Sequence, residues 1–408
     1  MSNPIVIVGA GLAAGKAVEA IKEAGYDGQV IVCGDEQHRP YERPPLSKGY
    51  LLGDADLDTV FVHSAEWYDE QNVELRLGSS VTAIDLGAHQ VVAGSQTQAY
   101  DKLLIATGSS PRHLPMADES GAPVAYLRTI EDSERLKSSF GPGVRIAIIG
   151  GGWIGLEVAS AARNAGGEVT VLESLDLPLL RVLGPEVATV FASLHREHGV
   201  DLRLGVQVSA IEHVDRLAVV HLGDGSTVEA DLVVVGIGVT PNIGLAEAAG
   251  LHTDNGIVVD EKLRTSDPDV FAAGDVASAQ HPILGRPVRV EHWDTAIGQG
   301  GVAGRNMLGL EVSYDRLPYF FTDQYDFGME YVGSVGPDGY DEVVLRGDTT
   351  GSRVFSAFWI HRGTVIAGMH ANDWDAIDPI RTIVGSSVDP ARLRDETSSL
   401  VELADGLS

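Results

Sequence analysis

The fold is decided by the stretch IVIVGAGLAA, residues 5–14. Its four leading apolar residues, Ile5–Val8, predict a buried β-strand, and the glycines after them predict a tight turn into a helix that runs to about Glu23. A second strand is expected at Val30–Cys33. A strand, a glycine turn, a helix and a second strand, in this order, are typical of a dinucleotide-binding unit.

The residues of this first turn have distinct expected roles. Gly9 permits the turn itself, and Gly11 lets the backbone approach a pyrophosphate without a Cβ in the way. Ala13 lies at the start of the helix, where free N–H groups and the positive end of the helix dipole favour phosphate, and Ala14 replaces the third glycine of the motif. Asp35, which follows 24 residues after Gly11, can accept hydrogen bonds from a ribose diol.

The same design returns in the middle of the chain. A strand at Arg145–Ile149 leads into GGGWIG, residues 150–155, with all three glycines of the motif. A helix is expected from about Leu156 to Ala165, ending near Gly166. The residues expected to contact a second dinucleotide are Gly150, Gly152, Ile154 and Gly155.

An acidic residue also closes the second unit. The strand Val169–Leu172 is followed by Glu173, 21 residues after Gly152. A carboxylate at this place accepts hydrogen bonds from both adenosine ribose hydroxyls and repels a 2′-phosphate. We therefore expect NADH to be preferred over NADPH. Two such units predict two bound dinucleotides, one of them a flavin.

Length and charge restrict the remaining function classes. A chain of 408 residues is expected to divide into two or three domains. Its formal net charge of −29 makes nucleic acid and anionic membranes poor partners. No apolar stretch approaches the ~20 residues that span a bilayer, and no basic leader precedes the first strand. We expect a soluble, cytoplasmic protein.

Cysteine and histidine provide little chemistry. The chain has one cysteine, Cys33, so it cannot form a reversible intrachain disulfide, and its apolar surroundings predict a buried thiol. No metal site is expected. His195 and His198 lie three residues apart on a predicted helix without further ligands nearby, and we interpret them as part of a solvated helix face.

Further segments resemble the two-dinucleotide-domain flavoprotein family that includes glutathione reductase. Residues 103–109, LLIATGS, look like the strand and Thr-Gly turn that close the first FAD segment, and residues 265–276 look like the second FAD signature. Residues 231–238, DLVVVGIG, resemble the strand that returns from the NAD domain. The resemblance implies nucleotide contacts at Thr107, Gly108, Gly236, Gly238, Gly274 and Asp275.

Within that family, the chain is most similar to the NADH-dependent ferredoxin reductases that serve oxygenases. Residues 39–48, RPYERPPLSK, carry this likeness, and they contain no cysteine where glutathione reductase relatives place their redox pair. Residues 126–129, 291–300 and 318–324 are also similar. Many relatives carry tryptophan where this chain has Phe321, which keeps an aromatic surface but has no indole N–H to donate.

The resemblance implies roles for particular side chains. Lys48 would place a charge beside the flavin N5 and pair with Glu157 on the helix of the NAD domain; a buried lysine needs such a partner. A surface lysine and a solvated carboxylate are the alternatives. Trp293 would form an aromatic wall near the flavin, or else belong to the core. The other implied FAD contacts are Arg43, Arg128 and, through its backbone, Val81.

The predicted fold is α/β, with two Rossmann-like dinucleotide-binding domains and a C-terminal α+β domain. Alternating apolar residues at 354–360 predict antiparallel strands in that last domain, and a closing helix is expected around residues 379–384. The expected boundaries are 1–110 and 240–317 for the FAD domain, 111–239 for the NAD domain and 318–408 for the C-terminal domain.

These expectations combine into one leading function, an FAD-dependent NADH:ferredoxin oxidoreductase that supplies a monooxygenase or a ring-hydroxylating dioxygenase through a 2Fe-2S ferredoxin. Rubredoxin, a quinone or monodehydroascorbate as acceptor, and a flavin sensor of the apoptosis-inducing-factor type, stay open as alternatives, as does the oligomeric state. Because such ferredoxins are acidic, docking on this acidic chain requires a local basic patch. Its candidates are Arg39, Arg286, Arg289, Arg346, Arg353 and Arg362.

Overall fold

The computed structural model of the protein describes residues 3–407. The strands of the amino-terminal part are β1 (Ile5–Val8), β2 (Val30–Cys33), β3 (Val73–Arg76), β4 (Val81–Asp85), β5 (Gln90–Ala93), β6 (Gln96–Ala99), β7 (Lys102–Ile105) and β8 (Ser109–Pro111). They are followed by β9 (Val124–Ala125), β10 (Arg145–Ile149), β11 (Glu168–Leu172), β12 (Asp201–Arg203), β13 (Val208–Val214), β14 (Leu217–Leu222), β15 (Thr227–Ala230) and β16 (Leu232–Val235).

The strands of the last third are β17 (Val239–Pro241), β18 (Thr253–Asp254), β19 (Gly256–Val259), β20 (Val270–Ala272), β21 (Ala277–His281), β22 (Arg286–Val288), β23 (Tyr319–Gln324), β24 (Phe327–Gly333), β25 (Glu342–Gly347), β26 (Phe355–His361) and β27 (Thr364–Ala371). The helices are α1 (Leu12–Glu23), α2 (Gly49–Leu52), α3 (Ala65–Glu70), α4 (Pro115–Asp118), α5 (Ile130–Ser139), α6 (Trp153–Asn164), α7 (Leu180–Glu197), α8 (Gly244–Ala248), α9 (Trp293–Met307), α10 (Ile377–Ile383), α11 (Pro390–Arg394) and α12 (Leu400–Asp405). Two 3₁₀ helices span Pro44–Ser47 and Leu57–Val60.

The described residues form two compact units. The first contains residues up to 44, 56–110 and 239–318, and the second contains residues 45–55, 111–238 and 319 onward. None of the helices among residues 3–407 combines the length and the apolar character that crossing a membrane would need.

The first unit is organised by a parallel sheet in the order β20-β7-β1-β2-β3. Every residue of β1 and β2 is buried, which explains their unbroken apolar sequences, since a parallel sheet is covered on both faces. A three-stranded sheet, β4-β5-β6, and a four-stranded sheet, β18-β19-β21-β22, complete this unit. The carboxyl ends of β1, β7 and β20 meet at one edge of the central sheet, where ligands bind in folds of this kind.

Two helices of the first unit lie unusually close together. On α9, a Cβ added to Gly304 would lie 2.5 Å from the carbonyl oxygen of Ala17 on α1, and Gly300, one turn earlier, faces the backbone of Ala13 in the same way. Only glycine permits this separation. The packing therefore fixes the beginning of α1, and that beginning is the expected phosphate site.

The second unit contains a second parallel sheet, in the order β12-β11-β10-β16-β9, and a separate antiparallel sheet, β23-β24-β27-β26-β25. Side chains of α6 and α7 share one apolar cluster with the antiparallel sheet, in which Leu156 and Phe191 join Met329 and Trp359. The indole N–H of Trp359 donates to the carbonyl of Leu183 on α7 at 3.2 Å. This shared cluster places β23 next to α6 and α7.

The predicted fold class is confirmed, whereas some predicted details are wrong. The helix expected to start at Leu156 begins at Trp153, because Gly152 is its N-cap and Gly155 is part of its first turn. The predicted closing helix lies at Ile377–Ile383. In β26 the six residues from Phe355 to Ile360 are all buried, so this strand is antiparallel as predicted but does not have one polar face.

Candidate functional site

The first glycine turn leaves space at the start of α1. Gly9 has φ +107°, and a Cβ there would lie 2.5 Å from the carbonyl carbon of Ala106. Gly11 is the N-cap of α1 without any side-chain cap, and a Cβ added to it would meet nothing within 4 Å. The first N–H groups of this helix therefore face open space next to a glycine, which fits a pyrophosphate. Ala13 is buried in the first helical turn, and Gly274 lies close to its Cβ.

The end of β7 is held by an asparagine that the sequence did not single out. The hydroxyl of Thr107 donates to the carbonyl of Asn242 at 2.9 Å, and the amide of Asn242 donates to the carbonyl of Thr107 at 2.8 Å. Gly108 has φ +65°, and its carbonyl accepts from the backbone N–H of Asn242. The predicted contacts Thr107 and Gly108 thus form one fixed turn at the edge of the sheet.

Asp275 is oriented by neighbours that carry no sequence signal of their own. The hydroxyl of the buried Ser109 donates to Asp275 Oδ2 at 2.8 Å, and Arg289 donates to the Asp275 carbonyl at 3.2 Å. The side chain of Gln299 accepts from the N–H of Gly274 at 2.9 Å. Ser109 and Gln299 lie inside segments that carry the family resemblance, yet their positioning role becomes visible only in the structure.

An acidic residue beside Asp35 has the stronger local bonds. Asp35 is exposed and accepts from the next backbone N–H, whereas Glu36 accepts from Arg43 at 2.7 Å and from the Tyr41 hydroxyl at 2.5 Å. The charges of Glu36 and Asp275 and the neighbouring Tyr41 outweigh burial and raise the pKa of Arg43. The structure therefore brings Arg43 into the electrostatic range of Asp275. It also assigns Glu36 a contact that no sequence pattern indicates.

The other two predicted contacts of the first unit lie at element starts. Val81 is the first residue of β4 and pairs with Ala93, so its backbone is part of a ladder edge. Trp293 is the first residue of α9, half-buried against the core of the first unit, and the preceding His292 caps the helix by accepting from Asp294 N–H. Both positions are compatible with a nucleotide contact, and for both residues that contact stays a prediction.

The second glycine turn repeats the first with a tighter approach. Gly150 has φ +106°, and a Cβ there would lie 2.9 Å from the carbonyl carbon of Gly236 at the end of β16. Gly152 is the N-cap of α6 without a side-chain cap, and Gly155 packs its Cα against the backbone of Gly150. Ile154 is 40% exposed, which is high for an apolar residue in a first helical turn. An exposed, uncapped helix start is again suited to a dinucleotide phosphate.

Glu173 lies directly beside this turn. One of its carboxylate oxygens accepts from the N–H of Gly151 at 2.6 Å, and the other accepts from the N–H of Leu175 at 2.8 Å. The carboxylate is thereby fixed at the end of β11, the place at which ribose recognition is expected. The last predicted contact on this side, Gly238, has φ +100° and accepts from the N–H of Arg112.

Arg128 precedes the first turn of α5. Its backbone N–H donates to Asp132 Oδ2 at 3.0 Å, and Asp132 forms a capping box with Thr129. This capping fixes the backbone from which the guanidinium extends. It leaves the predicted FAD contact of Arg128 as a prediction.

The structure brings Lys48 and Glu157 together. Lys48 Nζ lies 2.7 Å from Glu157 Oε1, with the two side chains 15% and 4% exposed. Glu157 also accepts from the Ser47 hydroxyl at 2.5 Å and from the Thr322 hydroxyl at 2.6 Å. The ammonium lies 5.4 Å from the ring centroid of Phe321, within the range of a cation–π contact. Three donors therefore converge on one nearly buried carboxylate, so its oxygens have the partners that a buried polar group needs.

The interpretation of His195 as part of a solvated helix face is wrong. Its side chain is fully buried, and Nε2 lies 2.8 Å from Gln324 Oε1. Burial lowers the pKa of His195 to about 4, so the ring is neutral near pH 7. His198 is partly exposed and stacks on Tyr325 with 3.8 Å between ring centroids. No local pattern indicates this burial, because the partners of His195 lie more than a hundred residues away.

Within residues 3–407, no three His, Cys, Asp or Glu side chains are grouped as metal ligands. Cys33 is buried, and burial raises the pKa of its thiol. Its buried thiol is as predicted.

Four of the candidate docking arginines bind within the chain, among them Arg39, which donates to the carbonyl of His63 at 2.9 Å. Arg346 donates to three backbone carbonyls between residues 393 and 398, and Arg353 is 8% exposed and pairs with Glu197 at 2.5 Å. Arg289 donates to Asp275, as described above. A guanidinium that already holds the chain together contributes little to a docking surface. Arg362, in contrast, is exposed in the turn between β26 and β27.

Comparisons with known proteins agree with this arrangement. Residues 3–300 match the family model described as pyridine nucleotide-disulphide oxidoreductase, and residues 319–404 match the one described as reductase C-terminal. The chain is 40% identical to the ferredoxin–NAD(+) reductase component of an anthranilate 1,2-dioxygenase system from Burkholderia cepacia, over 98% of each chain. It is 37% identical to putidaredoxin reductase from Pseudomonas putida, over 98% of this chain and 97% of the other.

Solved structures of ferredoxin reductases are also similar to this chain. The reductase in a covalent putidaredoxin reductase–putidaredoxin complex superposes with a TM-score of 0.94 at 36% identity, with 99% of each chain covered. The ferredoxin reductase of the CYP199A2 system from Rhodopseudomonas palustris gives a TM-score of 0.92 at 34% identity, covering 99% of this chain and 100% of the other.

Proposed function

This chain belongs to the pyridine nucleotide-disulphide oxidoreductase family, and we propose that it is an FAD-dependent NADH:ferredoxin oxidoreductase whose 2Fe-2S ferredoxin serves a monooxygenase or a ring-hydroxylating dioxygenase. One observation carries the proposal: two uncapped glycine-turn helix starts, each next to an acidic residue, occur in a chain whose single cysteine is buried. Two dinucleotides can therefore bind, whereas a disulfide cannot form within the chain to take up the electrons.

The first unit has the residues to hold FAD. The open space at Gly11 and the uncapped start of α1 suit the pyrophosphate, and Asp275, fixed by Ser109, suits the ribityl chain. When bound here, FAD would supply the chemistry that takes two electrons from a hydride and passes them singly to a one-electron acceptor. The other residues of this unit that the proposal assigns to FAD are Gly9, Ala13, Asp35, Arg43, Val81, Thr107, Gly108, Gly274 and Trp293; Arg128, which the family resemblance also assigns to FAD, belongs to the second unit.

The second unit has the residues to hold NADH. Gly152 leaves the start of α6 free for a pyrophosphate, and Glu173 offers a fixed carboxylate for the ribose diol. The same carboxylate would face the 2′-phosphate of NADPH, and like charges repel. NADH is therefore the preferred donor. The assigned contacts on this side are Gly150, Gly152, Ile154, Gly155, Glu173, Gly236 and Gly238.

Lys48 and Glu157 are the residues to which we assign tuning of the flavin. The ammonium group of Lys48 supplies a positive charge. Glu157 holds this group in position, and Phe321 flanks it. A charge held at one place stabilises a developing negative charge better than a mobile one does. The same proposal includes the domain boundaries given above, with the FAD domain in two segments. It also includes a cytoplasmic location, in which NADH is available and Cys33 stays reduced.

The test is NADH-driven reduction of cytochrome c by the purified protein, with and without a panel of 2Fe-2S ferredoxins. We expect one or more ferredoxins to stimulate the reaction strongly, with a higher kcat/KM for NADH than for NADPH. Rapid reduction of the bound flavin by NADH without stimulation by any ferredoxin would contradict the assignment of the acceptor. The matched control is Cys33→Ala, which should keep the ferredoxin-dependent rate because no thiol takes part.

A further inference from the structure

A continuous row of buried hydrogen bonds connects Glu157 with His195 in the second unit. Thr322 and Gln324 lie two residues apart on β23, so their side chains point to the same face of the strand. Gln324 Nε2 donates to Thr322 Oγ1 at 3.1 Å, and Gln324 Oε1 lies 2.8 Å from His195 Nε2. The row ends at the Tyr325 hydroxyl, 3.3 Å from His195 Nδ1. We call these four residues and Glu157 the Glu157 chain.

The direction of every bond in the Glu157 chain follows from its carboxylate end. A charged carboxylate only accepts, so Thr322 must donate its single hydroxyl proton to Glu157 Oε1. The lone pairs of that hydroxyl are then free only to accept, which turns the N–H end of the Gln324 amide towards Thr322. The amide oxygen consequently faces His195, whose Nε2 must carry the proton, and Nδ1 accepts from Tyr325.

This arrangement makes each donor point towards the carboxylate. Hydrogen bonds aligned head to tail polarise one another, and a low-dielectric surrounding strengthens the effect. Burial lowers the pKa of His195 and so favours a neutral ring. The row of hydrogen bonds then selects the Nε2–H form from the two neutral forms. The groups within electrostatic reach are His198 for the His195 end, and Lys48 and Asp323 for the Glu157 end.

The Glu157 chain is unsuited to proton transfer. A glutamine amide separates the imidazole from the hydroxyl, and an amide keeps both of its N–H protons near neutral pH. What the row can transmit is orientation: if one member turns, the next loses its partner, and an unpaired buried polar group is unfavourable.

We propose that Thr322, Gln324 and His195 are positioning residues that hold the Glu157 carboxylate at one orientation towards Lys48. This inference deepens the proposed function and rests on it for the role of Lys48. Ser47 fixes the second carboxylate oxygen from the other side, so the carboxylate cannot rotate without losing a bond at each end.

The first test reads the direction of the chain without using turnover. Nitrogen-15 NMR of the FAD-loaded protein labelled in histidine distinguishes the two neutral ring forms. We expect His195 as the Nε2–H form at pH 7, and we expect Thr322→Val to shift its nitrogen resonances although valine does not touch the ring. An Nδ1–H or doubly protonated His195 at pH 7, or resonances unchanged in Thr322→Val, would overturn the proposal.

The second test follows flavin reduction by NADH under anaerobic conditions. Thr322→Val should slow the limiting rate roughly tenfold, since a bond to a charged group is lost, while the NADH concentration for half-maximal rate stays unchanged. Thr322→Ser should restore the rate. In Thr322→Val combined with His195→Phe, the loss should be no larger than in Thr322→Val alone, because both act through one chain.

The control is Ser160→Ala on the same helix as Glu157. Ser160 is buried and accepts from the backbone N–H of Tyr325 at 2.9 Å, so it contacts the backbone of one chain member but none of the side-chain bonds that run from His195 to the carboxylate. Its loss should lower stability without changing flavin reduction. If Ser160→Ala slowed flavin reduction as much as Thr322→Val does, the slowing would reflect a general loss of packing around α6, and the positioning role would be rejected. The proposed function is tested separately: it would be rejected if NADH did not reduce the wild-type protein, or if no ferredoxin accepted electrons from it.

Discussion

The close packing of α9 on α1 allows a quantitative prediction for Gly304→Ala. The new Cβ would lie 2.5 Å from the carbonyl oxygen of Ala17 and 3.2 Å from its carbonyl carbon and Cα. Real Cβ atoms essentially never approach closer than 3.0 Å, and the opposing atoms belong to helix backbone, which cannot turn aside. The two helices must therefore separate by at least half an ångström over this turn.

The expected loss of stability is the difference between two effects. Overpacking of a core costs about 1–3 kcal/mol, whereas alanine in place of glycine in a helix gains about 1 kcal/mol. Gly304→Ala should therefore lower the free energy of unfolding by up to about 2 kcal/mol. The movement also reaches the start of α1, because Gly300 fixes Ala13 in the same manner, so the pyrophosphate site should open.

Gly301→Ala is the matched control on the same helix. A Cβ at Gly301 meets only the terminal nitrogen of Arg305 at 3.3 Å, the end of a flexible side chain. This variant should be as stable as the wild type or more stable by up to about 1 kcal/mol.

The assay is thermal unfolding of the FAD-loaded proteins, followed by tryptophan and flavin fluorescence, together with FAD titration of the apoproteins. Gly304→Ala should release FAD at a lower temperature and bind it several-fold more weakly, and Gly301→Ala should do neither. Equal stability and FAD affinity of the two variants would refute the argument that the α1–α9 contact positions the phosphate site.

Three other predictions concern charges. Glu173→Gln should raise the ratio of kcat/KM for NADPH to that for NADH about tenfold, since a like-charge repulsion of about 1–2 kcal/mol is removed. His195→Gln should make the free energy of unfolding in urea less dependent on pH. Burial lowers the pKa of His195 from 6.5 to about 4, so between these pH values the unfolded chain takes up a proton on this ring and the folded chain does not. The contribution of His195 to wild-type stability therefore falls by about 3 kcal/mol as the pH falls through this range, and the variant lacks this loss. Arg362→Glu should raise KM for ferredoxin several-fold at low salt and leave flavin reduction by NADH unchanged; Arg216→Glu, the same charge reversal in another exposed hairpin turn, should leave both unchanged.

The glycine turns were predictable because their determinants are local. Both β-branched strands, the glycines and the following acidic residues lie within about thirty residues of sequence, so spacing alone indicates the geometry. The start of α6 was mispredicted for a related reason. Glycine is a poor helix former, which favours a helix beginning after Gly155, but here the close approach of Gly155 to Gly150 outweighs that preference.

The surroundings of Glu157 could not be predicted from local sequence. Its partner Ser47 lies 110 residues away, and its partner Thr322 lies 165 residues away. His195 meets Gln324 across 129 residues, so a pattern that covers one helix could only describe it as exposed or buried by periodicity. The family resemblance supplied the Lys48–Glu157 pair, but it contained no information on the bonds that hold the pair.

Under the proposed function, these contacts give the C-terminal sheet a positioning role that its own sequence does not suggest. The helix α6 begins at the expected NADH pyrophosphate site and, within its second turn, carries Glu157. The carboxylate would be free to rotate on this helix if the helix were its only support. Thr322 and Phe321, neighbours on β23, face Glu157 and Lys48 respectively, so the C-terminal sheet supplies both the donor that fixes the carboxylate and the ring that flanks the ammonium. The proposed role of Lys48 requires that the pair be held still, and the Thr322 hydroxyl on β23 is placed to do so.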